Sequence, residues 1–282
     1  MSDDAPLRLE TADGIARITI DHPPINLLGA EIFAALHGVI ERLEQDEATK
    51  VVILASADPD FVIAHGDVET IVAAPTDPTP EASELPFTHV MLERWRKLPQ
   101  ITIAKIEGYT RGGGSEMTLP CDMRLAALDR AVFGQPQLAL RILPGAGGTA
   151  RLTRMLGAAR ASEIILGGDD FTALEAERYG WINRALPADQ IGPFVDRLAG
   201  RIASYPAETL REAKRTIQAT AEDAIERDLL REQQAFDRLM SDPRTERVAR
   251  MQRFLDRGVQ TRDGERHLAE ACAKLGSETP HE

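Results

Sequence analysis

Two glycine-bearing segments hold the residues of this chain best suited to chemistry. The first runs Phe61-Val-Ile-Ala-His-Gly-Asp67 and the second Arg111-Gly-Gly-Gly-Ser-Glu-Met117. Gly66 lets a backbone approach a ligand closely. Three glycines opening a helix leave its first N–H groups without intrahelical partners, and those amides, with the helix dipole, favour an anionic oxygen. Glu116 follows in the first turn, where a carboxylate is also favoured. Each segment taken alone also fits an ordinary strand-to-helix turn with a capping Glu. Neither is a Walker phosphate loop, which needs a Lys after the glycines, and neither has the Gly-x-Gly-x-x-Gly dinucleotide spacing. Gly114-Ser115-Glu116 lacks the flanking Gly of a nucleophile elbow.

The elements that must position these segments alternate between strand and helix patterns. Gly14 to Ile20 is alternating and β-branched, which predicts a strand. Ile32, Phe33, Leu36, Ile40 and Leu43 fall at helical spacing within Glu31 to Leu43. Val51 to Leu54 is a short apolar run, expected as a strand buried on both faces. Residues 73–86 carry prolines at 75, 78, 80 and 86 and predict a mobile surface loop. Helix is expected over Phe87 to Leu98, strand over Ile101 to Ile106 and at Val132-Phe133, and helix again over Thr149 to Leu156. Beyond Tyr205 the strand signals stop. Helices are predicted over Ala207 to Ala219, Ala224 to Met240 and Thr245 to Leu255, with Asp242-Pro243 separating the last two. The pattern divides the chain into an α/β region, 1–204, carrying the active site, and a helical region, 205–282.

Composition narrows the function. The 282 residues carry 33 basic and 45 acidic side chains, a formal charge of −12. That balance argues against nucleic acid as a partner, because phosphate binding relies on clustered Lys and Arg. Cys121 and Cys272 form no CxxC pair, so a reducing, cytoplasmic setting without structural zinc is expected. No signal peptide or long apolar run is seen, so no membrane association is expected.

Taken together and in order, the motifs resemble the crotonase (enoyl-CoA hydratase/isomerase) family. The resemblance rests on Ile106-Glu-Gly-Tyr-Thr-Arg-Gly-Gly-Gly-Ser-Glu-Met-Thr-Leu-Pro-Cys-Asp122, on Ala64-His-Gly-Asp67 upstream and on Phe133-Gly-Gln-Pro-Gln137 downstream. Leu143-Pro-Gly-Ala-Gly-Gly-Thr-Ala-Arg-Leu152 and Ile18-Thr-Ile-Asp-His-Pro-Pro-Ile-Asn-Leu27 extend it, so that it spans about Leu7 to Leu255. It implies an α/β fold, a crotonase-type spiral of ββα units with a C-terminal helical trimerisation region, and assembly as a homotrimer or a dimer of trimers. It implies an acyl-CoA substrate, with CoA as part of the substrate and neither a metal nor a separate cofactor. The family's two oxyanion-hole amides map on Gly66 and Gly113, and contacts to CoA or substrate on His22, Ile25, Ala64, His65, Asp67 and Val68.

The acid–base positions depart from the family pattern. The first catalytic glutamate maps on Glu116, but the second maps on Gln137, which can hold a water yet cannot exchange a proton at neutral pH. A third position, acidic in some relatives, is Gly145. Glu116 and Gln137 are therefore the expected catalytic pair, and hydration or isomerisation of an enoyl-CoA the expected reaction. A catalytically weakened acyl-CoA-binding paralogue and a CoA thioester hydrolase are the alternatives. Arg111 is read as a surface salt-bridge partner or as a contact to an anionic substrate group. His65 offers an acid or merely a loop side chain. Trp95 is a core residue or a wall of the acyl pocket. Pro120 either bends the helix of Glu116 or ends it. Glu69 stands where hydratases often carry a Lys near CoA.

Overall fold

The computed structural model describes residues 5–75, 82–221, 225–242 and 246–277. The chain opens with β1 (Leu7–Ala12), β2 (Ile15–Ile20), α1 (Ala30–Gln45), β3 (Val51–Ser56), β4 (Phe61–Ile63), α2 (Val68–Ala73) and α3 (Phe87–Arg96). It continues through β5 (Ile101–Ile106), β6 (Tyr109–Arg111), α4 (Gly113–Thr118), β7 (Met123–Ala127) and β8 (Val132–Gly134) to a 3-10 turn at Pro136–Leu140. Next come α5 (Gly148–Leu156), α6 (Ala158–Gly167), β9 (Asp170–Thr172), α7 (Ala173–Tyr179), β10 (Arg184–Leu186) and α8 (Ala188–Ala203). Helices α9 (Ala207–Ala221), α10 (Ile225–Ser241), α11 (Arg247–Asp256), α12 (Arg262–Arg266) and α13 (Leu268–Ser277) complete it.

The strands form a six-stranded sheet, β1-β2-β3-β5-β7-β10, and a four-stranded sheet, β4-β6-β8-β9. Three times in succession the chain lays one strand in the larger sheet and the next in the smaller: β3 then β4, β5 then β6, β7 then β8. Helical segments follow each pair, which is the expected spiral of ββα units. Neighbours β2, β3, β5 and β7 run parallel. β3 shows why its sequence reads as a continuous apolar run. Val52 and Leu54 face the main core, while Val51 and Ile53 face a second core built with Ile191, Val195 and Ala199 of α8.

The predicted long elements lie close to where the sequence places them. Shorter ones, including β4, β6 and β9, carry too few residues to show a period. Trp95 is fully buried in the main core and donates to Cys121 Sγ at 3.3 Å, so it is a core residue. Helix α4 ends at Thr118, and Leu119 is its C-cap. Pro120 therefore terminates the helix rather than bending it. The Leu119 and Cys121 carbonyls beyond the helix accept from the buried Arg124 guanidinium at 2.9 and 2.7 Å. In the proline-rich stretch, residues 76–81, with Pro78 and Pro80, lie outside the described residues, as do Ala224, Pro243 and Thr245 at predicted helix boundaries.

The C-terminal helices pack back on the body. Met251, Phe254, Val259, Leu268, Cys272 and Leu275 share a core with Val68, Leu140 and Ile142. Helices α12 and α13 lie past the end of the sequence resemblance. Among the described residues no helix is long and apolar enough to cross a membrane.

Candidate active site

Both chemistry-bearing segments meet where β4 and β6 leave the small sheet. These strands pair in parallel, and a Cβ on Gly114 would lie 2.1 Å from the Ile63 carbonyl oxygen. Only glycine permits α4 to start so close to β4. Gly112, its N-cap, has φ +47° and ψ −122°, a combination glycine adopts without a Cβ clash. A parallel bridge joins Leu28 to Gly66: Leu28 N donates to His65 O at 2.9 Å and Asp67 N to Leu28 O at 3.0 Å. Adjacent amides along extended chain point opposite ways, so the Gly66 N–H faces away from Leu28. A Cβ on Gly113 would lie 3.1 Å from Gly66 N, whereas one on Gly66 would meet no protein atom within 4 Å. The Gly66 and Gly113 segments thus meet at the edge of open space.

That space is a cavity of about 610 Å³. Gly66, Gly113, Glu116 and Gln137 border it, and much of its remaining wall is apolar, including Phe33 of α1, Phe87 of α3, Phe236 of α10 and Phe254 of α11. Of the residues expected to touch CoA or substrate, His65, Asp67 and Val68 also line it. His22, Ile25 and Ala64 do not. Ile25 and Ala64 are fully buried in a small cluster with Phe61. His22 lies in the turn after β2, its N–H donating to Asn26 Oδ1 at 2.6 Å. Glu69 is exposed on α2. Asp67 caps α2, accepting from Glu69 N at 3.0 Å and Thr70 Oγ1 at 2.9 Å.

Glu116 is buried, and its Oε1 accepts from the backbone N–H groups of Ala146 and Gly148, at 2.8 and 2.9 Å. Gln137 Nε2 reaches Glu116 Oε2 at 3.3 Å and Gln135 Oε1 at 2.9 Å. Burial pushes the Glu116 carboxyl up to about 7, against the opposing pull of the Ala146 and Gly148 amides. The third family position explains itself sterically: a Cβ on Gly145 would lie 2.8 Å from the Phe236 ring. Phe236 occupies the space an acidic side chain at 145 would need.

Two carboxylates escaped the sequence reading. Glu232 of α10 accepts from Gly147 N at 2.6 Å and Ala150 N at 2.7 Å, interleaved with the amides that hold Glu116. Burial, then the Glu116 charge, raises Glu232 to about 8. His89, 3.9 Å from Glu232, is pushed down to about 4 by burial and by Arg151. The two buried carboxyls titrate as a pair that retains a proton at neutral pH. A signal for Glu232 was present in the sequence: it falls on the apolar stripe Ile225, Leu229, Phe236, Met240 at helical spacing. Glu265 of α12 is the second, fully buried against Arg111 and His65. No local pattern marks it.

Arg111 corrects an expectation in part. It does pair with acids, but not at the surface: it is 1% exposed and binds Asp170 and Glu265, each at 2.6 Å. No side of its guanidinium is left for a substrate anion, since Nε and Nη2 hold Asp170 and Nη1 holds Glu265. Among the described residues no cluster of His, Cys, Asp and Glu could hold a metal ion.

The fold and cavity define a class: an α/β spiral that sets a buried carboxyl beside two converging glycine segments. Comparison with known proteins agrees. The family model for enoyl-CoA hydratase/isomerase matches residues 10–261. A "Probable enoyl-CoA hydratase" of Mycobacterium bovis is 32% identical over 236 residues, covering 81% of this chain and 87% of that protein. A crystal structure from Streptomyces avermitilis, of a protein assigned as an enoyl-CoA hydratase, has a TM-score of 0.87 at 37% identity, covering 97% of this chain and 99% of that one. An enoyl-CoA hydratase of Bacillus anthracis has a TM-score of 0.71 at 27% identity, covering 88% and 96%. The chain belongs to the enoyl-CoA hydratase/isomerase, or crotonase, family.

Proposed function

We propose that this chain hydrates or isomerises an enoyl-CoA, with Glu116 as the sole proton-exchanging group at the reacting carbons. The observation that carries this reading is the meeting of Gly66, Gly113, Glu116 and Gln137 on the border of one largely apolar cavity. The Gly66 and Gly113 N–H groups receive the thioester oxygen. Such preorganised donors stabilise the enolate as charge moves onto that oxygen, each worth about 10²–10³ in rate. Ionised Glu116 takes a proton from water as the hydroxyl bonds to C3 and the C2–C3 π electrons move to the thioester oxygen. The protonated Glu116 then returns that proton to C2, giving the 3-hydroxyacyl-CoA. A carboxyl near pH 7 suits both directions of transfer. Gln137, hydrogen-bonded to Glu116, orients the water through its amide. In isomerisation the same carboxyl moves a proton along the chain and no water is needed.

The substrate is an acyl-CoA of fatty acid metabolism, with CoA supplied by the substrate itself, and the assembly a homotrimer or dimer of trimers in the cytoplasm. A second reading, an acyl-CoA-binding protein with weakened catalysis, is favoured by the amide at Gln137. Loss of the conjugated-thioester absorbance of crotonyl-CoA separates the two. Hydration predicts wild-type turnover that collapses in Glu116→Ala. Turnover surviving that change removes Glu116 from the mechanism. Binding without turnover in wild type, with activity gained in Gln137→Glu, selects the second reading.

A further inference from the structure

The segments that carry Gly66 and Gly113 are tied to a single side chain from the far C-terminal part of the chain. Glu265 of α12 reaches both. Its Oε2 lies 3.2 Å from His65 Nε2, and its Oε1 accepts from Arg111 Nη1 at 2.6 Å. The same Nη1 also donates to the Glu265 carbonyl oxygen at 2.7 Å. His65 immediately precedes Gly66, and its Nδ1 is 2.7 Å from Gly66 O, so that nitrogen carries the proton and donates. Arg111 stands two residues before Gly113, and its backbone N–H donates to Ala64 O at 3.0 Å. One carboxylate therefore contacts the side chains next to both expected oxyanion donors, while it is itself no part of the cavity wall.

The surroundings make this clamp rigid. Glu265 is fully buried, Arg111 is 1% exposed and His65 5%. Asp170 of β9 fixes the rest of the guanidinium, and the Phe254 ring of α11 lies edge-on to His65 with centroids 6.0 Å apart. The cluster sets Arg111 and His65 against Glu265 and Asp170. Burial pulls the His65 pKa down, but Glu265 outweighs it and the net direction is up. The His65 Nδ1 is committed to Gly66 O, while Nε2 faces Glu265 Oε2 at 3.2 Å as a charge contact and not an aligned hydrogen bond. Helix α12 is anchored independently: Arg262 pairs with Asp58 and Asp60, and Arg266 with Asp60.

We infer that Glu265 is a positioning residue, which sets the spacing and direction of the Gly66 and Gly113 amides through His65 and Arg111. The inference rests on the enoyl-CoA reading of the site. It assigns the C-terminal turn a part in catalysis that the glycine motifs alone do not contain. A misplacement of about 1 Å in such a site costs on the order of 10²-fold in rate. Uniform binding of the CoA ester would be little changed, because Glu265 touches no part of the cavity surface.

The experiment compares wild type, Glu265→Gln and His65→Gln by crotonyl-CoA turnover and by the absorption of bound 2,4-hexadienoyl-CoA. An oxyanion hole polarises that conjugated thioester and moves its absorption to longer wavelength. Glu265→Gln is expected to lower kcat by about 10- to 10²-fold, to change KM less than threefold, and to reduce the wavelength shift while the ester stays bound. His65→Gln should do the same more weakly, and the double variant no more than Glu265→Gln alone. An unaltered kcat and unaltered shift in a folded Glu265→Gln protein overturns the positioning role. So does a uniform rise in KM with kcat unchanged. If Glu265→Gln does not fold, an unaltered shift and kcat in His65→Gln is the overturning result. Failure of wild type to bind the dienoyl-CoA at all removes the enoyl-CoA reading instead, and the inference with it.

Discussion

Replacing Glu116 by Gln should raise stability and sharply lower activity, and the stability gain should depend on pH. The Glu116 carboxyl lies at about 7 in the folded protein against 4.5 ordinarily, because its burial disfavours the ionised form. Linkage sets the sign. A carboxyl raised by folding favours the native state fully below pH 4.5, and that contribution is lost as pH rises to 7 and above. The difference of about 2.5 pH units corresponds to about 3 kcal/mol at pH 8. Gln is neutral throughout, and its Oε1 can keep the bonds from the Ala146 and Gly148 amides. Its amide nitrogen would face Gln137 Nε2, so Gln137 must rotate and present its oxygen, which has no hydrogen-bond partner at present. That rotation breaks the bond to Gln135, at a cost of about 1 kcal/mol. The net gain at pH 8 is about 2 kcal/mol, or a Tm rise of roughly 4–8 °C. Relief of the repulsion on Glu232 acts in the same direction. Thermal unfolding of wild type and variant at pH 5 and pH 8, beside crotonyl-CoA turnover, is the assay. The expected result is a gain at pH 8 that shrinks at pH 5, with kcat reduced by about 10²- to 10⁴-fold. A Tm gain equal at both pH values, or a loss at pH 8, would refute the burial argument. Retained turnover would refute the role of Glu116.

Three further outcomes follow from the same packing. Glu232, at about 8, still holds its proton as Glu116 ionises at about 7, so Glu232→Gln should leave the acidic limb of the kcat–pH profile, which reports ionisation of Glu116, near 7; a move of about one pH unit contradicts that order of ionisation. Gln137→Glu sets a second carboxyl within 3.3 Å of Glu116 Oε2. Like charges so close oppose ionisation, so Tm should fall more at pH 8 than at pH 5 even if hydratase turnover rises. Gly145→Ala drives a Cβ to within 2.8 Å of the Phe236 ring and should cost about 1–3 kcal/mol in chemical denaturation. Combining it with Phe236→Leu should return part of that loss, and strict additivity in the double-mutant cycle would show that the two positions do not meet.

The elements legible in the sequence were those whose cause is local. The helical spacing of Ile32, Leu36, Ile40 and Leu43 and the unbroken run Val51 to Leu54 each follow from the burial of one face, or two, of a regular element. The glycine triplet 112–114 was legible as the opening of a helix with free amides, whereas the close approach of Gly114 to the Ile63 carbonyl appears only in the fold. Arg111 was legible as a charge needing a partner, but its burial was not, because the surrounding α12 and β9 lie 154 and 59 residues away along the chain. Phe236 against Gly145 is of the same kind: neither residue's neighbours in sequence point to the other.

The sequence by itself therefore determined the spiral, the family, and the likeness of Gly66, Gly113, Glu116 and Gln137 to a working site, since motif order and periodicity are properties of nearby residues. Tertiary structure alone decided what acts on that site from behind. It brought Glu232 to amides interleaved with those that hold Glu116, set Phe236 against Gly145, and closed Glu265 on His65 and Arg111. These contacts join segments far apart in the chain, and their energies depend on burial that only the assembled fold creates.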